Sequence, residues 1–167
     1  MKLFVMRHGE AKPATMEFGT LTPDAERELN ETGQQEAIAA AKWLASQVEH
    51  IDLVLVSPYQ RARQTYAEVA KWVSAQEVEI SAEITPEGDA ELFASALLAR
   101  LQVEPAETVL LVSHMPFVCF LTSYLDQRVQ PPLFPTAGIA VIEVEPLAME
   151  GCLQGVVAPE MNNSLQG

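Results

Sequence analysis

The chain is predicted to form a three-layer α/β/α sandwich around a mainly parallel central sheet, and two observations predict it. Short apolar runs at 2–6, 52–56 and 108–112 read as buried strands. Between and after them lie segments whose apolar residues recur at the helical period. Strands alternating with helices bury a parallel sheet on both faces. The length of 167 residues, 49% of them hydrophobic, suits one domain with a proper core, taken as 1–167 without a capping subdomain.

Each element has its own pattern. After the first strand, residues 10–32 carry Pro13, Gly19 and Pro23 as breakers and read as a long loop, which in a compact domain is usually functional. Residues 33–49 read as a helix with Ala37, Ile38, Ala41, Leu44, Ala45 and Val48 on one face. The strand at 52–56 leads into a helix over 59–74 with Ala62, Thr65, Tyr66, Val69 and Val73 inward. A short strand at 78–80 precedes a helix over 89–101, striped by Leu92, Phe93, Ala96, Leu97 and Leu101. The strand at 108–112 runs through His114 into an apolar helix at 117–125. Runs at 139–144 and 153–157 read as closing strands in an antiparallel hairpin, and the polar tail from Glu160 as frayed.

Charge narrows the function. The net charge of −13 makes nucleic acid and anionic membrane poor partners for the general surface. An anionic ligand must be drawn by a local cationic cluster, because salt screens more distant charge beyond about 8 Å. Cys119 and Cys152 read as buried apolar thiols. The apolar stretch before Arg7 is too short for a signal-peptide core or a membrane span, so a cytoplasmic protein is expected. A monomer is expected as well.

The most informative residues lie just beyond the three strands. The first strand ends in Arg7-His8-Gly9-Glu10, the second in Ser57-Pro58 with Arg61 beyond, and the third in Ser113-His114. In a parallel sheet the carboxyl ends of these strands share one edge, where open α/β sheets bind ligands. Two imidazoles and at least two guanidiniums then converge on one crevice, a set suited to a phosphoryl group. His8 is the candidate nucleophile. One ring nitrogen would be free to attack phosphorus, the other tied as a donor to a nearby backbone carbonyl. The phosphohistidine so formed is then open to water. Phosphoryl transfer otherwise needs positioning and charge stabilisation. Arg7, Arg61 and Arg27 supply planar forks, and His114 binds phosphoryl oxygens from the opposite side. The expected catalytic set is therefore His8, Arg7, Arg61 and His114. The phosphate-binding set is Arg7, Arg27, Arg61, His114 and Met115.

Single residues admit competing readings. Arg27 lies between Glu26 and Glu28 and could be a surface ion pair, and Arg61 a solvated charge equivalent to Arg63. His50 reads as a charge at the negative end of a helix, and Trp43 and Trp72 as core or half-buried packing residues. No P-loop, dinucleotide fingerprint, Cys-x-x-Cys or His-Glu-x-x-His occurs, and the histidines at 8, 50 and 114 lack metal-ligand spacing. No metal or organic cofactor is implied.

These residues resemble the histidine phosphatase superfamily, which includes phosphoglycerate mutases and histidine acid phosphatases. The matches are Arg7-His8-Gly9, Ser57-Pro58 with Arg61, Arg61-Ala62-x-Gln64-Thr65, and Ser113-His114. Leu29-x-x-x-Gly33 resembles a Leu-Thr-x-x-Gly segment, with Asn30 where threonine is usual. The resemblance spans about residues 2 to 160 and implies a phosphoglycerate mutase-like fold. Within the superfamily the chain is similar to compact bacterial phosphohistidine phosphatases. Phe4 to Ala11, Thr85-Pro86-x-Gly88-Asp89 and Asp24-x-x-Arg27 carry that similarity. It implies a phosphatase acting on the phosphohistidine of a phosphotransfer domain in a signalling relay, that domain being the expected partner.

Two features of the chain agree. Only 53 positions separate Arg61 from His114, which two helices and a strand fill, leaving no room for an insertion that would enclose a small substrate. Met115 stands where acid phosphatases place an aspartate proton donor, and an imidazole leaving group tolerates a weak or absent acid. Glu83, Glu87 and Asp89 are candidate proton donors but read more simply as surface charges or a helix cap, and no residue is assigned as the acid. The alternatives are a small-molecule phosphomonoesterase or mutase on the same core, and a non-catalytic phosphate-binding adaptor.

Overall fold

Side chains alternate so strictly along the central strands that each strand feeds two separate cores. The computed structural model describes residues 1–160. Its strands are β1 (Lys2–Arg7), β2 (Met16–Glu17), β3 (Thr20–Leu21), β4 (His50–Val56), β5 (Ser74–Ile80), β6 (Thr108–Ser113), β7 (Ile139–Glu145) and β8 (Glu150–Val157). The α-helices are α1 (Glu31–Gln47), α2 (Gln60–Val69), α3 (Ala90–Val103) and α4 (Phe117–Leu125). Six strands form one sheet in the order β5-β4-β6-β1-β7-β8, and β2 pairs with β3 in a separate hairpin. β5, β4, β6 and β1 run parallel. β7 and β8 close the sheet as an antiparallel hairpin.

Phe4, Met6, Val54, Val56, Leu110 and Val112 meet Ala40, Ala41 and Leu44 of α1 and Ala62 and Val69 of α2. Leu3, Val5, Leu53, Leu55, Val109 and Leu111 meet α3 and α4 on the other face. This is the three-layer α/β/α arrangement expected from the alternating strands and helices.

Several local expectations are corrected. α2 ends at Val69, and the strand expected at 78–80 begins at Ser74. β5 is an edge strand whose mostly exposed polar residues hide it from a hydrophobicity reading. In α3 the buried stripe is Phe93, Ala94, Leu97, Leu98 and Leu101, whereas Leu92 and Ala96 are exposed. That helix is apolar nearly all round, so periodicity alone does not choose its face. His50 begins β4 and contacts the Asp52 carboxylate at 3.0 Å instead of ending a helix. Trp72 is exposed beneath the Lys42 ammonium, while Trp43 packs edge-on against Phe4. Cys119 is buried, but Cys152 is exposed on the edge strand β8. The tail expected to fray lies, beyond Glu160, outside the described residues.

Candidate active site

The register of the parallel strands brings the motif residues together. Arg7 pairs with Ser113, and Val56 with Val112. The ladder continues one step beyond the strands, with the amides of His8 and Ser57 donating to the carbonyls of Ser113 and Val112, each at 3.0 Å. His8, Ser57 and His114 therefore leave three adjacent strands at the same level, where neighbouring strands stand about 4.8 Å apart. The imidazoles of His8 and His114 lie with centroids 5.1 Å apart, and the Tyr59 ring meets His114 edge-on at 5.0 Å.

Two glycines shape the turn after β1. A Cβ on Gly9 would stand 2.4 Å from the carbonyl oxygen of Gly33, and one on Gly33 would stand 2.0 Å from that of Glu10. Only backbone against backbone fits there, which ties the Arg-His-Gly turn to the start of α1. Asn30 caps that helix by accepting from the Gly33 amide at 2.8 Å. Thr65 accepts from the Gly9 amide at 3.1 Å and donates to the Arg61 carbonyl at 2.8 Å. Gln64 accepts from the Leu29 amide at 2.8 Å. The Arg-Ala-x-Gln-Thr segment thus holds both the turn after β1 and the long loop.

The His8 ring is fixed at both nitrogens. Nδ1 lies 2.6 Å from the Gly9 carbonyl oxygen, which accepts only, so Nδ1 carries the proton. Arg61 Nε donates to Nε2 at 3.2 Å, so Nε2 bears the lone pair. Burial lowers the His8 pKa to about 4, with the cations of Arg61, Arg7 and Arg27 adding to the shift against the Gly9 hydrogen bond. The ring is neutral at physiological pH, as nucleophilic attack requires.

The cations behave differently from one another. Arg61 is buried and donates through Nη1 to the Asp24 carbonyl at 2.6 Å and through Nη2 to Asp24 Oδ2 at 3.1 Å. Arg63 is exposed, so the two arginines are not equivalent. Arg27 donates to Asp24 Oδ1 at 3.0 Å and to the Lys12 carbonyl at 2.9 Å. It is an ion pair as the simpler reading expects, but with Asp24, the carboxylate that also holds Arg61. Arg7 donates to the Phe134 carbonyl at 2.8 Å, and its Nε is buried with no partner among the described residues. His114 is buried, lies 2.7 Å from Ser57 Oγ through Nε2, and has no partner at Nδ1 among the described residues. Burial first, then the charges of His8 and Arg61, lower its pKa to about 2.

Five of the six expected residues thus gather on one edge, while the half-buried Met115 packs against the core between the sheet, α3 and α4. Asp89 caps α3 through the Leu92 amide, and Glu83 and Glu87 are exposed. Sequence reasoning assigned no part to Asp24, Ser57 or Thr65. Their recurrence beside arginines and histidines in the motifs was the available signal.

Comparison with known proteins agrees with the site. Residues 3–85 match the family model described as the histidine phosphatase superfamily (branch 1). The chain is 37% identical over 146 residues to the phosphohistidine phosphatase SixA of Escherichia coli, covering 87% of this chain and 86% of that protein. It is 32% identical over 148 residues to a SixA homologue of Haemophilus influenzae, covering 84% and 86%. Its structure matches that of the protein histidine phosphatase SixA complexed with tungstate, with a TM-score of 0.83 and 35% identity over 95% of this chain and 97% of that one. With likeness at this level over most of its length, the chain belongs to the histidine phosphatase superfamily.

Proposed function

We propose that the protein is a phosphohistidine phosphatase that takes the phosphoryl group from a histidine of a phosphotransfer domain onto His8 and then gives it to water. The observation that carries this reading is the His8 ring: neutral, with Nδ1 bound to the Gly9 carbonyl and the Nε2 lone pair facing a cationic cluster. The relatives named phosphohistidine phosphatases support the substrate class.

In the first step the Nε2 lone pair forms a bond to phosphorus while the P–N bond to the substrate imidazole breaks. The departing nitrogen keeps the electron pair and takes a proton from solvent. In the second step a water oxygen attacks phosphorus, loses its proton to solvent, and Nε2 recovers its lone pair. The transition state spreads charge over three equatorial oxygens. Arg7, Arg27 and Arg61 supply the opposing charge, and His114 Nδ1 and Arg7 Nε, which have no partner among the described residues, fit donors to those oxygens. The reaction draws its positive charge from these arginines and calls for no metal.

The substrate is a side chain on a whole protein. In support, α2, β5 and α3 occupy the chain between Arg61 and β6 without a capping insertion, which favours the reading of 1–167 as one domain. Among the described residues no helix is long and apolar enough to cross a membrane. The reading includes a monomer working in the cytoplasm. The test compares turnover of a phosphorylated phosphotransfer domain with that of phosphoserine, sugar phosphates and nucleotides. Faster cleavage of the phosphohistidine is expected; faster cleavage of the small esters would make the protein a phosphomonoesterase.

A further inference from the structure

Ser57 stands behind His114 rather than beside the reacting group, fully buried at the end of β4. Its Oγ makes two contacts. It accepts from the Tyr59 amide at 3.3 Å, and it lies 2.7 Å from His114 Nε2. Either of the latter two atoms could hold the shared proton, and the surroundings decide which.

If Nε2 carried the proton, Ser57 Oγ would accept from both Tyr59 and His114. Its own hydroxyl proton would be left without an acceptor, on a side chain with no exposed surface. His114 Nδ1 would then be a bare lone pair, buried and facing the place where an anion binds. Lone pair against phosphoryl oxygen is repulsive. If Ser57 instead donates to Nε2, every group has a use. The Tyr59 amide gives to Oγ, Oγ gives to Nε2, and Nδ1 carries a hydrogen that has no protein partner among the described residues. Such a hydrogen is a donor held in reserve for the ligand.

We propose that Ser57 is a positioning residue that locks His114 in its Nδ1–H tautomer, through a relay from the Tyr59 amide to Ser57 Oγ to His114 Nε2, and so aims a neutral N–H donor at the phosphoryl group. The last clause rests on the function proposed above; the tautomer does not. A histidine's second partner commonly sets which ring nitrogen is available to a ligand. The first histidine is locked in the same sense by the Gly9 carbonyl, but with opposite effect. A carbonyl acceptor forces Nδ1–H and frees a lone pair at Nε2 of His8. A hydroxyl donor takes up the lone pair at Nε2 of His114 and frees a hydrogen at Nδ1. The one ring is prepared to attack and the other to clamp.

Burial keeps both rings neutral, so the tautomers are readable by long-range ¹H–¹⁵N NMR of the unmodified protein at pH 7. His114 is expected to show a protonated Nδ1 and an unprotonated Nε2, assigned by the loss of its signals in His114→Ala. An Nε2–H pattern at His114 would overturn the proposal. Ser57→Ala should shift His114 toward Nε2–H. It should weaken inhibition by inorganic phosphate and lower kcat/KM by about ten- to a hundredfold, the scale of lost orienting partners elsewhere. Ser57→Thr, which keeps the hydroxyl, should return both the tautomer and most of the activity. An unchanged tautomer in Ser57→Ala counts against the proposal whatever the rate. A shifted tautomer with undiminished phosphate binding and turnover would leave the lock standing and remove His114 from the phosphoryl clamp, which is a failure of the functional reading alone.

Discussion

Arg61 Nε points its hydrogen at His8 Nε2 from 3.2 Å. A cation thus rests on the lone pair proposed to attack phosphorus, and the same guanidinium is gripped by Asp24 through two further bonds. The contact does two things at once. It keeps Nε2 unprotonated, since a donor already faces it, and it places the arginine where a phosphoryl oxygen must arrive when phosphorus approaches Nε2. Arg61→Ala should lower kcat/KM by about 10²–10³-fold, on the order of 3–4 kcal/mol, as for loss of an oxyanion donor. Arg61→Lys should recover little, because an ammonium cannot reproduce the planar fork. Steady-state turnover of a phosphorylated phosphotransfer domain measures both. Wild-type rates in either variant would remove Arg61 from the clamp.

The low pKa of His8 makes a prediction about acid. Activity needs the neutral ring, so the rate should rise with pH through about 4 and be flat from about pH 5.5 to neutrality as far as this group is concerned. Stability depends on the same group. The folded pKa lies below the ordinary value of 6.5, so the unfolded chain binds more protons between about 4 and 6.5. Stability is therefore complete above that window and falls as pH drops through it, by on the order of 3 kcal/mol for His8. His114 contributes in the same direction. Urea midpoints at pH 7 and pH 4.5 should show a smaller loss for His8→Gln than for the unmodified protein. Equal losses would mean His8 is not the group responsible.

A third outcome concerns the adduct. Rapid quenching should trap an acid-labile, base-stable phosphoenzyme from the unmodified protein and none from His8→Ala. A protein that only binds phosphate gives no adduct in either case, and turnover without an adduct would point to direct attack by water.

The residues that touch the proposed phosphoryl group were legible because each comes at or soon after the end of a buried strand. A hydrophobic run shows where a parallel strand ends, and the next polar residue is then placed at the ligand-binding edge without knowledge of side-chain packing. His8 and His114 follow β1 and β6 directly, Arg7 is the last residue of β1, and Arg61 stands in the first turn of the helix that follows β4. Asp24 and Ser57 were legible only as parts of motifs, since a short polar side chain shows its role through the partner it meets. Arg61 and Arg27 meet at Asp24 from a helix and a loop, which no periodicity encodes. The misread stripe of α3 has the opposite cause: with apolar residues on nearly every side, the sheet rather than the sequence chose Ala94 and Leu98 over Leu92 and Ala96. The early start of β5 was hidden for a third reason. Its residues are mostly exposed, and its pairing with β4 is carried by backbone bonds.

The paired glycines give a stability test with an internal control. A methyl group on Gly33 would lie 2.0 Å from the Glu10 carbonyl oxygen; the oxygen is backbone and the methyl position is fixed by the backbone, so neither side yields by a rotamer change. Gly33→Ala should destabilise by about 1–3 kcal/mol, the scale of overpacking. It should also reduce activity, since the displaced turn includes the Gly9 carbonyl that fixes His8. Gly155→Ala, where a Cβ meets nothing within 4 Å, should change neither by more than about 0.5 kcal/mol. Denaturant melts of the two variants side by side decide it, and similar midpoints would mean the turn relaxes easily.

Asp24 offers the sharpest separation of charge from orientation. Its carboxylate accepts from Arg61 on one oxygen and Arg27 on the other, and these two cations hold its pKa below the ordinary carboxylate value against the opposing effect of burial. Removing the charge in Asp24→Asn leaves the cluster more positive, which favours any bound oxyanion. Yet the amide nitrogen of asparagine cannot accept from a guanidinium, so one of the two forks loses its hold. The two effects oppose each other in binding and not in turnover. Inorganic phosphate should therefore inhibit the variant at least as well as the unmodified protein, while kcat falls. Because half of the Asp24 side chain is exposed, the fall is set by a solvent-screened pair, about 1 kcal/mol or roughly fivefold. Were phosphate inhibition to weaken while kcat held, Asp24 would be contributing to ligand capture instead of to the aim of the arginines.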